Sequence, residues 1–308
     1  MGTSSYAVAP LEALLSLDAQ VVGVYTQPDK PSGRGLLTQP SPVKSFALEH
    51  GLEVYQPKSL RRPDVQREFA SLAPDVVLLA AYGKLLPPEV LRIPPHGCVN
   101  VHPSLLPRHR GPSPVATAVL DGEAKTGTSL FLMDEGMDTG PILSSRAFPV
   151  EPGATTGSLT PLLFQLGAHL LTEVLPLWLK GEIVPQPQDH ERATVTKKLD
   201  RVDGEADWGL TAEELERRVR AFTPWPNLYT QWGGMVVKLL SAVTAHDVAG
   251  ESEHGLVVPL GDQEEAVGIV TGSGVLGLRQ LQMEGKRPVS SEEFIRGYRD
   301  FVGSRLPS

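Results

Sequence analysis

Hydrophobic and polar residues repeat along this chain with two periods, one suited to helices and one to strands, and their order changes past residue 184. Up to that point the two patterns alternate. Residues 8–17 carry apolar positions at helical spacing, residues 20–26 read as a strand, and residues 42–50 and 63–72 read as helices. Asp75-Val-Val-Leu-Leu-Ala-Ala81 is the short continuous apolar run that a strand covered on both faces requires, and residues 98–102 form the next strand. A helix follows over 112–120, strands over 128–133 and 142–150, and a long helix over 155–180 closes the region. This alternation predicts an α/β domain, a doubly wound and mostly parallel sheet with helices on both faces.

Residues 185–207 are polar and open with two prolines, which predicts a linker between a first domain at 1–184 and a second at 208–308. Beyond a helix at 211–221 the pattern shortens to strands over 228–232, 235–242, 255–259, 266–271 and 274–282. Short strands broken by glycine pairs predict a small β-barrel.

Composition changes this picture little. The 308 residues are 41% apolar, as expected of globular protein. No run reaches the ~18 to 20 apolar residues that span a bilayer, and the opening Met-Gly-Thr-Ser-Ser lacks the basic and apolar regions of a signal peptide. Cys98 is the one cysteine, which excludes an intrachain disulfide and a cysteine zinc cluster. A cytoplasmic location is the resulting expectation. The net charge of −8 does not suggest a phosphate-rich partner, but screening confines surface fields to roughly 8 Å, so local clusters decide contacts. Between Gln27 and Arg62, six basic residues (Lys30, Arg34, Lys44, Lys58, Arg61, Arg62) face three acidic ones (Asp29, Glu49, Glu53), and Arg108 and Arg110 could add to that patch.

The chemistry concentrates in Asn100-Val-His102-Pro-Ser104-Leu-Leu-Pro107-Arg-His-Arg110-Gly. Asn100 and His102 stand two apart on an apolar run, so a strand aims both at one face and sets an amide donor beside an imidazole. Asp138 follows in Glu135-Gly-Met-Asp138-Thr-Gly140-Pro, 36 residues after His102 (138 minus 102). Taken alone, Asp-Thr-Gly also makes a good turn, so Asp138 reads either as a loop cap or as a functional carboxylate.

The segment resembles the signature of the folate-dependent formyltransferases, most of all those acting on methionyl-tRNA. The likeness continues through Thr26-Gln-Pro-Asp-Lys30-Pro-Ser-Gly33-Arg34-Gly35, Pro40-Ser-Pro-Val-Lys44, Ala80-Ala-Tyr82-Gly83-Lys-Leu-Leu-Pro87 and Arg220-Ala-Phe-Thr-Pro224-Trp225-Pro226. It weakens only toward the carboxyl end. The resemblance implies a Rossmann-like formyltransferase domain followed by an OB-like barrel, with Asn100, His102 and Asp138 as the catalytic trio. It further implies that 10-formyltetrahydrofolate donates a formyl group to the α-amine of methionyl initiator tRNA. Ser104, Leu105, Leu106 and Pro107 would bind the folate as an extended segment, with Tyr82, Gly83 and the loop at 135–138 near its pterin. Arg34, with Lys30 and Lys44 and more weakly Lys238, would meet the tRNA. A monomer acting without a membrane is expected. No metal is expected either, since His96, His102 and His109 lack a zinc-ligand pattern.

One departure from the family matters physically: its first strand precedes the Gly-Thr turn, whereas here Met1 stands directly before Gly2-Thr3. A central strand of ~5 to 6 residues would then be missing, leaving backbone groups of both neighbours unpaired; a late-called start or a shortened chain is the expectation. Other readings of the same residues are a formyltransferase acting on a sugar-nucleotide amine, a hydrolase that releases formate from the folate, and a non-catalytic RNA- or folate-binding paralogue.

Overall fold

In a computed structural model of the chain, residues 1–32, 37–245, 253–261 and 265–308 are described. They form two compact units. The first comprises Met1–Pro114, Lys125–Pro149 and Thr160–Thr196, and the second comprises Val115–Ala124, Val150–Leu159 and Lys197–Ser308. The stretch expected as a linker is therefore structured: residues 185–196 belong to the first unit and 197–207 to the second.

The first unit runs α1 (Val8–Leu15), β1 (Val24–Tyr25), β2 (Lys30–Ser32), β3 (Leu37–Gln39), α2 (Pro42–Glu49), β4 (Val54–Tyr55), α3 (Pro63–Ser71), β5 (Val77–Leu79), α4 (Pro88–Leu91) and β6 (Cys98–His102). After α5 (Pro114–Leu120), which but for Pro114 belongs to the second unit, come β7 (Lys125–Leu132), β8 (Ile142–Pro149) and α6 (Thr156–Leu179), the last counted in the first unit from Thr160 on. β1 pairs with β4 and β5 with β6 in parallel, whereas β7 and β8 continue the sheet antiparallel. β7 and β8 pair antiparallel because a hairpin loop without a crossover helix joins them. Two apolar cores cover its faces. Val99 and Val101 point to one, with Leu11, Val43, Leu171 and Leu175 from α1, α2 and α6. Cys98 points to the other, with Tyr25, Phe69, Tyr82 and Val90. Period-2 alternation along β6 therefore sends Asn100 and His102 to the same face as Cys98.

Between β1 and β5 the backbone pairing runs through Met1–Thr3 among the described residues. Gly2 N–H donates to the Tyr25 carbonyl, Ala80 N–H to the Met1 carbonyl and Thr3 N–H to the Ala81 carbonyl. The Met1 amine donates to the Leu78 carbonyl at 2.6 Å, and burial pushes its pKa down to about 5. Beyond this short bridge lies a cavity of about 580 Å³ lined by Gly2, Leu11, Val24, Val77, Leu78 and Leu175.

In the second unit, α7 (Ala212–Ala221) begins at a capping box in which Thr211 and Glu214 exchange side-chain and backbone hydrogen bonds. There follow β9 (Leu228–Trp232), β10 (Met235–Ala245), β11 (Val257–Pro259), β12 (Val267–Val270), β13 (Val275–Met283), β14 (Val289–Ser290) and α8 (Ser291–Gly297). The antiparallel order is β11-β12-β13-β10-β9, with β14 also on β13. This is a curled sheet rather than a barrel closed by its own strands, since β11 and β9 do not pair. The carboxyl-terminal tail spans the gap between these two edges: Gly303 and Leu306 N–H donate to the Val257 and Gly255 carbonyls, and Ser308 N–H to the Gln231 carbonyl in β9.

Candidate functional site

β6 ends at His102 between β5 and β7, so residues near its carboxyl end emerge at the rim of the sheet, where open α/β sheets bind ligands. Asn100 is half-buried, and its side chain has no hydrogen-bond partner among the described residues. Its amide is thus available to a ligand. His102 is buried, with its ring edge-on to Phe131 at 6.2 Å between centroids.

Both imidazole nitrogens face oxygen acceptors. Nε2 lies 2.9 Å from the His109 carbonyl, and Nδ1 lies 3.7 Å from Asp138 Oδ2. Burial holds the ring below its ordinary pKa, and the His109 ring adds slightly to that; the Asp138 charge and the His109 carbonyl pull the other way. In the neutral ring the short contact assigns the proton to Nε2, which leaves the Nδ1 lone pair as the base. A proton taken up there would lie beside the Asp138 carboxylate.

Asp138 stands in the loop between β7 and β8 with φ +54°, a left-handed conformation that a non-glycine residue holds only under constraint. Three bonds supply that constraint. Gly111 N–H donates to Asp138 Oδ2 at 2.7 Å, while Gln188 Nε2 donates to the carbonyls of Asp138 and Gly140 at 2.8 and 2.7 Å. Glycine is required at 140, because a Cβ there would lie 1.8 Å from the Leu132 carbonyl oxygen. Gln188 in turn accepts two hydrogen bonds from buried Arg110. Arg110 is therefore an internal residue and does not extend the surface basic patch.

Ser104–Pro107 is a compact turn, not the extended segment expected. Ser129 Oγ donates to the Ser104 carbonyl and accepts from Leu106 N–H, and Thr194 N–H donates to the Pro107 carbonyl. Ser104 and Leu106 are buried, and Leu105 and Pro107 are half-buried. Tyr82 is buried in the core beside Cys98, which pushes its phenol up to about 12, while Gln27 donates to the Tyr82 carbonyl.

Arg34 lies outside the described residues. Lys30 begins β2 of a short hairpin, and Lys44 bonds Asp29 and Gln56 at 2.5 and 2.8 Å, bracing the segment that leads into that hairpin. Lys238 sits in β10 opposite Tyr229 and Gln282. Sequence reasoning missed Ser129, Gln188 and Thr194, whose hydrogen-bond partners are distant in the chain. The one available signal was a glutamine in a stretch otherwise read as linker.

The family described as Formyl transferase matches residues 1–175, and its C-terminal domain matches residues 198–299. The chain is 47% identical over 308 residues to a methionyl-tRNA formyltransferase of Roseiflexus sp. (strain RS-1), covering 99% of this chain and 94% of that one. It is 44% identical to the methionyl-tRNA formyltransferase of Myxococcus xanthus, covering 99% and 96%. In fold it is similar to the Helicobacter canadensis N-formyltransferase solved with folinic acid and dTDP-3-aminofucose, with a TM-score of 0.66, 16% identity and coverage of 91% and 97%. It is also similar in fold to HypX from Aquifex aeolicus in complex with tetrahydrofolic acid, with a TM-score of 0.60, 23% identity and coverage of 83% and 44%.

Proposed function

We propose, from the premise that this chain belongs to the formyltransferase family, that it transfers the formyl group of 10-formyltetrahydrofolate to the α-amine of methionyl initiator tRNA. The observation that carries the reading is the convergence of Asn100, His102 and Asp138, with His102 Nδ1 3.7 Å from the carboxylate and the Asn100 amide free on the same face.

The amine nitrogen attacks the formyl carbon and builds a tetrahedral centre with a negative oxygen. The Asn100 amide donates to that oxygen, an interaction worth ~2.7 to 4 kcal/mol of barrier in comparable sites. His102 Nδ1 takes the proton lost by the amine, and Asp138 stabilises the resulting imidazolium. The bond from carbon to folate N10 then breaks, N10 takes the proton held on His102 Nδ1, which restores the base, and formyl-methionyl-tRNA leaves. The folate is a co-substrate consumed at each turnover. Half-buried Leu105 and Pro107 offer apolar contact to it, and the Ser129 bonds hold their turn rigid beside His102. The segment around the β2 and β3 pair, whose sequence carries Lys30 and Arg34, is assigned to the tRNA phosphates by its charge, with Lys44 bracing the stretch before it through Asp29.

The test is formyl acceptance from 10-formyltetrahydrofolate by charged initiator tRNA and, in parallel, by an amino-sugar nucleotide. Stoichiometric formyl-methionyl-tRNA, no sugar product and a loss of roughly 10²- to 10⁴-fold in His102→Ala are expected. Release of formate without transfer, or an unaffected His102→Ala enzyme, would overturn the reading.

A further inference from the structure

Asp138 can act only if its loop holds the carboxylate beside the imidazole, and the residue gripping that loop comes from the stretch that reads as linker. Gln188 is 6% exposed and Arg110 5%, so neither is a surface residue. The Gln188 amide is fully committed. Its Oε1 accepts from Arg110 Nε and Nη2 at 3.0 and 2.8 Å, and its Nε2 donates to the carbonyls of Asp138 and Gly140.

This arrangement has one chemical solution. A guanidinium only donates and a carbonyl only accepts, so the amide cannot be flipped, and no other side chain of this length offers an acceptor together with two N–H donors. It is also costly. Among the described residues the side chain of buried Arg110 meets only Gln188 and His190, whose Nδ1 lies 3.1 Å from Nη2, and no carboxylate. Burying a charge without a counter-ion is unfavourable, and here it orients one amide. The adjacent Gly111 N–H holds the other end of the same residue, the Asp138 carboxylate. Arg110 is itself fixed by backbone pairing: its N–H donates to the Thr194 carbonyl, and Thr196 N–H donates to its carbonyl.

We propose that Gln188, clamped by Arg110, is a positioning residue that locks the strained Asp138 loop and so fixes the carboxylate beside His102. The inference rests on the catalytic reading of His102 and Asp138 given above. The Gln188 side chain bonds Arg110 and the Asp138 and Gly140 carbonyls, so its effect passes through Asp138.

Two variants test this. Gln188→Leu removes both halves of the clamp, while Gln188→Glu keeps the Arg110 partner and sets an oxygen against the Asp138 and Gly140 carbonyls. In both, kcat for formyl transfer should fall on the order of 10- to 100-fold with KM for either substrate little changed. The titratable groups acting on the His102 ring are Asp138 and His109, and the first favours its protonated form. A displaced carboxylate should therefore move the acidic limb of the kcat profile, and the His102 titration read by NMR of labelled imidazole, to lower pH. The move should match that of Asp138→Asn, and adding Gln188→Leu to Asp138→Asn should cost little more.

The proposal is overturned by wild-type kcat and titration in both variants, by an equal penalty from Gln188→Leu with or without Asp138, or by failure of both variants to fold. Gln188 variants that behave as wild type while His102→Ala is inactive would sink this inference alone. An active His102→Ala enzyme would sink the reading beneath it.

Discussion

At the scale of single residues, the site is defined by what each polar group lacks or has. Asn100 has an amide without a partner among the described residues, and His102 has a lone pair on the nitrogen nearest a carboxylate. Removing the donor in Asn100→Ala should lower kcat by about 10²- to 10³-fold while leaving folate binding measurable by titration. The pH profile follows from the direction of the His102 shift. Because burial depresses the ring's pKa, its basic form persists below the ordinary 6.5, and the acidic limb of kcat should fall under that value. Asp138 opposes the depression, so Asp138→Asn should send the limb lower still, and a rise would contradict the assignment. By linkage, the stability tied to neutral His102 is present above the unfolded pKa and is lost as pH falls through the depressed folded value.

At the scale of elements, α6 and β6 approach closely because glycine stands between them. A Cβ at Gly167 would lie 2.4 Å from Val101 Cγ1 and 2.9 Å from Thr128 Cγ2. Both neighbours are β-branched and stiff, and Thr128 is further pinned by its hydroxyl bond to the Leu163 carbonyl. Gly167→Ala gains up to ~1 kcal/mol in helix propensity but incurs overpacking of about 1 to 3 kcal/mol. A net loss is expected, read as a lower urea midpoint, and because Val101 adjoins His102 in β6, kcat should fall as well. The capping box of α7 gives the converse case: Thr211→Ala should cost about 1 kcal/mol of stability without touching the chemistry, checked by the same unfolding experiment and an activity assay.

At the scale of the whole molecule, charge decides how the acceptor is met. The chain carries −8 overall, so attraction to tRNA must come from local cations rather than from the net field. If the acceptor is tRNA, log kcat/KM for it should fall linearly with log salt, by about 0.7 to 0.9 per phosphate contacted, while KM for the folate stays nearly constant. Measuring both substrates across a salt series checks this, and equal salt response would argue against a polyanionic acceptor.

Much of this protein could be read from the amino-acid order. The alternation of periods determined the α/β class, and spacing of two along an apolar strand placed Asn100 and His102 on one face, because side-chain direction in a strand is a local property. The motif carried the family. Three matters were settled only by tertiary structure. Asp138 reaches His102 through a left-handed loop residue gripped from Gly111 and Gln188, contacts that no local pattern encodes. Ser104–Pro107 became a turn because Ser129 and Thr194, distant in sequence, claim its backbone groups. The second sheet is bridged from β11 to β9 by a tail without strand periodicity, and the backbone of Met1–Thr3 bridges β1 and β5 in the first. In each case the deciding term is a hydrogen bond between residues far apart in sequence, whose partners exist only once the chain has folded.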